Sequence, residues 1–148
     1  MFKKIKTEMA TFPITTELKM PVEEIHMYMN ERGIRHLPVV DDNERLIGVV
    51  SERDVLAAKG KGLLAEDVMS TNPFIVDEDA NLCTVVENMA DYKYGSVLIV
   101  DSENTLKGIF TTIDALRLLT RFLDSEPDAD WVPDNIVLLK DIVGYSQY

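Results

Sequence analysis

Two stretches of this sequence, GVVSERDVL at residues 48–56 and GIFTTIDAL at residues 108–116, follow one pattern. Each begins with glycine and two apolar residues, continues with a hydroxyl residue, and places an aspartate three positions later. An apolar run that ends at a hydroxyl residue, with an acid three positions further on, predicts a buried strand followed by a capped helix. The pattern therefore indicates a strand-to-helix junction that the chain builds twice.

The repetition extends along most of the chain. When the sequence is shifted by sixty positions without a gap, identical residues align with Met9, Thr11, Pro13, Met29, Val40, Asp41, Leu46, Gly48, Asp54 and Leu56. Each copy is too short to bury its own apolar face well, so we expect the two copies to share one core. We divide the chain into a first repeat with its N-terminal segment at 1–62, a second repeat at 63–123, and an acidic loop with a short C-terminal helix at 124–148.

Within each copy, the hydrophobic period predicts the order strand, helix, strand, strand, helix. In the first copy these elements fall at 14–16, 22–29, 36–40, 46–50 and 51–58. In the second copy they fall near Phe74 and at 82–89, 97–100, 106–110 and 111–123. Strands and helices at this spacing predict an α/β (α+β) fold, in which two pseudo-symmetric β-α-β-β-α repeats pack sheet to sheet.

Composition and charge argue against several classes of function. The 148 residues include 26 acidic and 15 basic side chains, and the formal net charge is −11. This balance argues against nucleic acid and anionic membrane surfaces as partners, although a small anionic ligand would feel only the local field. Cys83 is the only cysteine, so no disulfide can form within the chain, and no run approaches the ~20 apolar residues of a membrane helix. We expect a soluble, cytoplasmic protein without a signal peptide.

The paired hydroxyl and aspartate have two possible roles. In the first, Ser51 or Thr111 caps the helix and the acid completes a capping box, which needs no ligand. In the second, the helix N-terminus offers free N–H groups to a phosphate, and Asp54 or Asp114 accepts both hydroxyls of a ribose. The sequence leaves both roles open.

Six stretches resemble a known family. MATFP, RHLPVVD and GVVSERD in the first copy, and MSTNP, SVLIVD and GIFTTID in the second, are similar to the motifs of a tandem cystathionine-β-synthase (CBS) domain pair, or Bateman module. The resemblance covers roughly residues 5–123. It implies a stand-alone regulatory module, not an enzyme, that binds AMP, ADP, ATP or S-adenosylmethionine between the repeats and signals by conformational change to a partner protein. It also implies a homodimer.

The resemblance implies two pseudo-symmetric clefts, in which the aspartate holds the ribose hydroxyls and the adenine lies between apolar residues. One cleft would use Ser51, Asp54, Val49 and Val50 with Arg35, His36 and Arg53, and with Thr71, Pro73, Phe74 and Val76 of the second repeat. The other would use Thr111, Asp114, Ile109, Phe110 and Ser96, with Thr11, Pro13, Ile14 and Thr16 of the first repeat.

The two clefts should differ in charge. In related modules, basic residues at the positions of Arg35 and His36 contact phosphate, and Arg53 lies beside the same junction. The corresponding positions of the second copy hold Gly95, Ser96 and Ile113. We therefore expect the Asp54 cleft to be the better phosphate site. The alternatives are that Arg53 is a solvated helix residue and that His36 is a structural histidine.

Other candidate residues suggest packing more than chemistry. We expect His26 to pack on its helix and Cys83 to be a small buried thiol. We expect mostly core positions for Met20, Met27, Met29 and Met89. The histidines and the cysteine show no ligand spacing, so we predict no metal site. Trp131, in an acidic loop, is either a plug on the module or an anchor for a partner.

Two other functions stand as alternatives. A structural interaction module would use the hydroxyl and the aspartate only as helix caps and would not respond to nucleotides. An enzyme would need a nucleophile with its base, or a metal cluster, and the sequence shows neither pattern.

Overall fold

The computed structural model describes residues 3–125. Its helices are α1 (Val22–Arg32), α2 (Glu52–Ala58), α3 (Ala65–Val68), α4 (Leu82–Tyr92) and α5 (Thr112–Asp124). Its strands are β1 (Ala10–Thr11), β2 (His36–Val40), β3 (Leu46–Ser51), β4 (Ile75–Asp77), β5 (Ser96–Val100) and β6 (Leu106–Thr111). A short 3₁₀ helix at Ile5–Thr7 precedes β1. The chain up to Leu116 forms one compact unit, and α5 from Arg117 onward belongs to a second unit.

The fold is the mixed α+β arrangement that the sequence predicts. β2 and β3 form an antiparallel hairpin in the first repeat, and β5 and β6 form the same hairpin in the second. β4 pairs in parallel with β5, and the four-stranded sheet has the order β1-β6-β5-β4. A helix follows each hairpin directly, so the strand-to-helix junction occurs twice.

The strand predicted at residues 14–16 is wrong in extent. Only Thr16 pairs there, as a single bridge, and its N–H donates to the carbonyl of Pro38 at 2.9 Å. In the second repeat, the N–H of Leu98 donates to the carbonyl of Phe74 at 2.9 Å and lengthens the ladder. Pro38 stands at the position of Leu98 and has no N–H to donate, so the first repeat lacks that bond.

The segment that precedes each repeat pairs with the other repeat. β1, which leads into the first repeat, pairs with β6 of the second through Ala10 and Ile109. Ser70, at the shifted position of Ala10, pairs with Val49 on β3 through two N–H···O bonds of 2.9 and 3.1 Å. Because each hairpin is extended by the leading segment of the other repeat, the two repeats are interlocked. The sequence pattern does not predict this exchange.

Helical turns in the leading segments reinforce the exchange. The N–H of Ile5 donates to the carbonyl of Ala80 in the second repeat at 2.9 Å, and Ile5 is fully buried. Ala65, at the start of α3, donates its N–H to the carbonyl of Met20 at 2.8 Å and packs in the core of the first repeat. The leading segments therefore contribute both backbone pairing and apolar burial to the opposite repeat.

Buried side chains form a core in the first repeat and a contact between the two sheets. The core of the first repeat contains Val22, Ile25, Met29, Leu37, Val39, Val50, Val55, Ala58 and Ala65. The contact between the sheets contains Leu46, Val49 and Leu98, flanked by Val100, Leu106 and Ile109. Because this contact joins β3 to β5 and β6, the two sheets pack against each other as predicted.

We predict that Gly48→Ala and Gly108→Ala each lower the free energy of unfolding by about 1–3 kcal/mol, the usual cost of overpacking. A methyl group at Gly48 would lie 2.6 Å from the carbonyl oxygen of Ser70, and one at Gly108 would lie 2.9 Å from that of Ala10. Both contacts would push an exchanged segment off its strand. Urea unfolding measures the change in the free energy of unfolding. The control is Lys107→Ala, at the exposed residue next to Gly108, which should change this free energy by less than about 0.5 kcal/mol. Two tolerated glycine substitutions would contradict the interlocked arrangement.

Candidate functional site

Ser51 and Asp54 form a capping box at the start of α2. The backbone N–H and the hydroxyl of Ser51 both donate to Oδ2 of Asp54, each at 2.8 Å. The N–H of Asp54 donates in return to the hydroxyl oxygen of Ser51 at 3.2 Å. Thr111 and Asp114 repeat these bonds at the start of α5, at 2.8, 2.9 and 3.4 Å. The capping role predicted from the sequence is confirmed in both copies.

Several N–H groups at the start of α2 already have partners within the protein. The N–H groups of Ser51 and Asp54 are used in the capping box. The N–H of Glu52 donates to the carbonyl of Arg35 at 2.8 Å, because the residue before β2 lies beside the helix start. At the helix start, the N–H of Arg53 has no hydrogen-bond partner among residues 3–125, so a phosphate in this region would be bound by that group and by side chains. Oδ1 of Asp54 accepts no hydrogen bond from residues 3–125 and is available to a ligand hydroxyl.

A cleft of about 820 Å³ lies between the two repeats beside this capping box. The first repeat contributes Arg35, His36, Val49, Ser51, Glu52, Arg53, Asp54 and Leu56 to its lining. The second repeat contributes Ser70, Asn72, Pro73, Phe74, Lys93, Tyr94, Gly95 and Ser96. We call this space the first cleft. Its volume lies within the usual range of small-molecule sites.

Most residues predicted for the first cleft line it. They are Ser51, Asp54, Val49, Arg35, His36, Arg53, Pro73 and Phe74. Val50 does not, because successive residues of a strand face opposite sides, and Val50 lies fully buried in the core. Thr71 is exposed and Val76 is half-buried on β4, and neither belongs to the lining.

The segment between α4 and β5 lines the first cleft although the sequence does not predict it there. Ser96, which the sequence assigns to the second cleft, is buried in the lining of the first. Gly95 permits the close approach, since a methyl group there would lie 2.8 Å from Nε2 of His36. Lys93 adds a cation from the second repeat. The available sequence signal is that Lys93 replaces Gly33 when the repeats are aligned.

Aromatic side chains form one wall of the first cleft. The rings of Phe74 and Tyr94 stack with their centroids 4.8 Å apart and an interplanar angle of 24°. Tyr92 lies against Tyr94 with a centroid distance of 5.8 Å. This wall offers a flat apolar surface beside polar groups, which suits a planar heteroaromatic ligand.

The first cleft has more cationic than anionic side chains, although the chain as a whole is acidic. Arg35, Arg53 and Lys93 line it without an ion-pair partner among residues 3–125. The carboxylates in the lining are those of Glu52 and Asp54. Unpaired cations in a cleft attract an anionic ligand at short range.

His36 lies in the same lining as a partly desolvated imidazole. Burial lowers the pKa of the His36 side chain below its usual value. The carboxylate of Asp54 opposes this shift of the pKa, the charge of Arg35 adds to it, and the carboxylate of Glu52 opposes it. Burial therefore favours the neutral imidazole, and an anion bound beside it would oppose this effect by favouring the protonated form.

The residues predicted for a second cleft differ in burial and surroundings among residues 3–125. Thr11 and Pro13 line a separate cavity of about 480 Å³, whose lining contains neither Thr111 nor Asp114. Of the others, Phe110 and Thr16 are buried, and Ile14 and Ile109 are half-buried. Asp54 lines the first cleft, whereas Asp114 lines neither that cleft nor the cavity of about 480 Å³.

The remaining candidate residues have mostly structural positions. Cys83 is exposed, so its predicted burial is wrong: it lies outside the buried face of α4, which Leu82, Val85 and Met89 form. Met29 and Met89 are buried and Met20 is partly buried, but Met27 is 62% exposed. His26 is half-buried on α1.

The metal site, the membrane helix and the C-terminal segment remain to be considered. Residues 3–125 have no group of three or more His, Cys, Asp or Glu side chains that could hold a metal ion. No helix in this range has the length and apolar character needed to span a membrane. Trp131 and the predicted C-terminal helix lie outside the described residues.

Comparisons with known proteins find the same repeat elsewhere. A family model for the CBS domain matches residues 3–61 and again residues 65–121. The inosine-5′-monophosphate dehydrogenase of Methanocaldococcus jannaschii is 35% identical over 104 residues, which cover 70% of this chain and 21% of that protein. This chain spans between 21% and 23% of the length of the first curated relatives that it matches.

Solved structures share the fold. The CBS domain pair of protein MJ0100, in complex with 5′-methylthioadenosine and S-adenosyl-L-methionine, superposes with a TM-score of 0.76 at 26% identity, covering 82% of this chain and 99% of that one. The cytosolic domain of the Mg²⁺ channel MgtE, in complex with ATP, gives a TM-score of 0.69 at 27% identity, covering 79% and 50%. Both likenesses extend over more of this chain than a single repeat contains.

We predict that Asp54→Ala and Asp114→Ala each lower the free energy of unfolding by about 1 kcal/mol in the absence of ligand, the usual cost of a lost helix cap. The reason is that each carboxylate accepts two hydrogen bonds from its capping partner. Urea unfolding measures the change. Glu31→Ala, which removes an exposed carboxylate within α1, is the control and should change the free energy by less than about 0.5 kcal/mol. Equal effects of all three substitutions would contradict the capping role.

We predict a pH-dependent contribution of His36 to stability. Because its folded pKa lies below its unfolded value of about 6.5, the unfolded chain binds more protons as the solution becomes acidic. The contribution is fully present above the unfolded pKa and is lost as the pH falls toward the folded pKa. The difference in unfolding free energy between the wild type and His36→Gln should therefore shrink from pH 7.5 to pH 5. A difference that stays constant over this range would contradict the assignment.

Proposed function

Because the chain belongs to the CBS domain family, we propose that it is a regulatory module that binds an adenosyl nucleotide in the first cleft. The observation that carries this proposal is the composition of the cleft. One lining combines an aromatic wall with a carboxylate oxygen and three cations that have no partner among residues 3–125, and both repeats contribute to it. These groups correspond to the ribose, the base and the phosphates of a nucleotide.

Each part of the nucleotide has a group of matching chemistry in the proposed site. Oδ1 of Asp54 accepts a hydrogen bond from a ribose hydroxyl, while Oδ2 keeps the capping box closed. The adenine packs against Val49 and the wall formed by Phe74 and Tyr94. Arg35 and the neighbouring cations bind phosphate oxygens through charge-assisted hydrogen bonds.

Similar proteins support this class of ligand. The CBS domain pair of MJ0100 is in complex with 5′-methylthioadenosine and S-adenosyl-L-methionine, and the cytosolic domain of MgtE is in complex with ATP. All three ligands carry an adenosyl group. In this chain, the cations of the first cleft favour a ligand with phosphate over one without it.

The proposed mechanism is differential binding. A nucleotide that contacts both repeats favours one arrangement of the repeats over others, and the module then presents a different surface to a partner protein. We propose a homodimer in the cytoplasm as the signalling form. We propose no catalytic role for Ser51, since its hydroxyl donates to the capping carboxylate and accepts the N–H of Asp54.

A structural interaction module is the second candidate, and one observation favours it. The capping boxes explain both pairs of hydroxyl and aspartate without any ligand. In that case the first cleft would stay empty and nucleotides would leave the stability of the protein unchanged.

The test is the melting temperature in the presence of AMP, ADP, ATP, S-adenosylmethionine and NAD, for the wild type, Asp54→Ala and Asp114→Ala. Each shift is taken from the ligand-free melting temperature of the same variant, because both substitutions also remove a cap. A ligand at about one hundred times its dissociation constant stabilises the folded state by ~2.7 kcal/mol. We expect the shift in the wild type and in Asp114→Ala, and its loss in Asp54→Ala.

The outcomes separate the two functions. A shift that depends on Asp54 supports a nucleotide sensor with one dominant cleft. A shift that depends only on Asp114 would contradict the assignment to the first cleft. No shift with any ligand in a folded wild type would favour the structural module.

A further inference from the structure

We propose that the first cleft selects adenosine di- and triphosphates over AMP, and that Lys93 is the residue that determines this selectivity. The proposal rests on the proposed function, since it requires an adenosyl nucleotide in that cleft. It goes further by naming the charge of the ligand and the side chain that senses it.

The capping box directs phosphate recognition to side chains. The N–H groups of Ser51, Glu52 and Asp54 already have partners within the protein. Apart from the N–H of Arg53, the binding of phosphate therefore depends on the side-chain cations of the lining, and each added phosphate needs a further cation within reach. The first repeat supplies Arg35, whose carbonyl accepts the N–H of Glu52, and Arg53 in the first turn of α2. The second repeat supplies Lys93.

Lys93 occupies a backbone position that favours glycine. It follows the last residue of α4 with φ 59° and ψ 38°, in the left-handed region, and its N–H donates to the carbonyl of Met89. The first repeat has Gly33 at the equivalent position, with φ 63° and ψ 33°. A side chain is disfavoured in this conformation, and glycine is the usual residue there. The chain therefore has a strained lysine at a position where glycine would suit the backbone. This lysine lines the first cleft.

The charges of the lining agree with a polyphosphate. Three cations share the lining with the carboxylates of Glu52 and Asp54, and the proposed role of the latter is to bind ribose. AMP presents one phosphate, which the cations of the first repeat can bind alone. A longer phosphate chain extends toward Lys93 and so connects the two repeats electrostatically. S-adenosylmethionine has a sulfonium cation and no phosphate, so these cations do not favour it.

The experiment is isothermal titration calorimetry of the full chain with adenosine, AMP, ADP and ATP, without divalent cations, for the wild type and Lys93→Gly. In the wild type, we expect ATP to bind about tenfold or more tightly than AMP. In Lys93→Gly, we expect ATP to bind about three- to tenfold more weakly than in the wild type, while the affinity for AMP changes by less than about twofold.

The melting temperature without ligand is a second readout. A lysine with only a structural role would not give both a lower affinity for ATP and a higher melting temperature when it is replaced by glycine. Without ligand, Lys93→Gly should melt about 1–3 °C higher than the wild type, because glycine relieves the left-handed residue. Lys61→Gln, in the joint between the repeats, is the control for the loss of one positive charge and should keep the preference for ATP. Glu44→Gly is the control for the backbone, because Glu44 has φ 62° outside the first cleft. It should keep the preference for ATP as well.

The outcomes distinguish this inference from the proposed function. Equal affinities for AMP, ADP and ATP in the wild type, or an unchanged preference in Lys93→Gly, would overturn the inference and leave the nucleotide sensor in place. A loss of ATP affinity in Lys61→Gln equal to that in Lys93→Gly would also overturn it. No binding of any nucleotide would overturn the proposed function together with the inference.

Discussion

The exchange of leading segments between the two repeats is the constraint on which the rest of the structure depends. Ser70 pairs with Val49 on the first hairpin, and Ala10 pairs with Ile109 on the second. Each pairing brings the start of one repeat against the last strand of the other, next to a strand-to-helix junction. The first cleft forms at one of these contacts, where Val49 and Ser70 both belong to its lining. A ligand there touches the interlock itself, which gives binding a direct route to the arrangement of the repeats.

The capping box and the proposed ligand site use the same aspartate without conflict. Oδ2 of Asp54 accepts the N–H and the hydroxyl of Ser51, and Oδ1 remains for a ligand. The helix start is thereby stable before any ligand binds, and the site is preorganised. Because the N–H groups of Ser51, Glu52 and Asp54 already have partners, the recognition of phosphate depends largely on side chains, which differ between the repeats. This explains how two nearly symmetric copies can produce one cationic cleft.

The sequence predicts the strands and helices that have a clear hydrophobic period. It does not predict the elements and site residues whose positions depend on contacts between the repeats. The hairpin strands and both junctions follow from apolar runs and from S-x-x-D and T-x-x-D. Strand β1 and helix α3 are too short to show a period, so the exchange is not visible in the pattern. The placement of Lys93 and Tyr94 in the first cleft is likewise a tertiary contact, because both residues lie far from Asp54 along the chain. For the short pairing at Thr16, the sequence did contain a usable signal. Pro38 has no N–H to donate, so a shorter ladder could have been predicted there.

Hydrogen exchange measured by mass spectrometry, with and without saturating ATP, tests most directly whether a ligand in the first cleft acts on both repeats through their interlock. We expect slower exchange in residues 48–54 of the first repeat and, in the same experiment, in residues 70–74 and 93–96 of the second. The N–H groups of Val49 and Ser70, which bond to each other's carbonyls, should be among those that gain protection. Protection confined to one repeat, or no change at all despite bound ATP, would contradict this expectation.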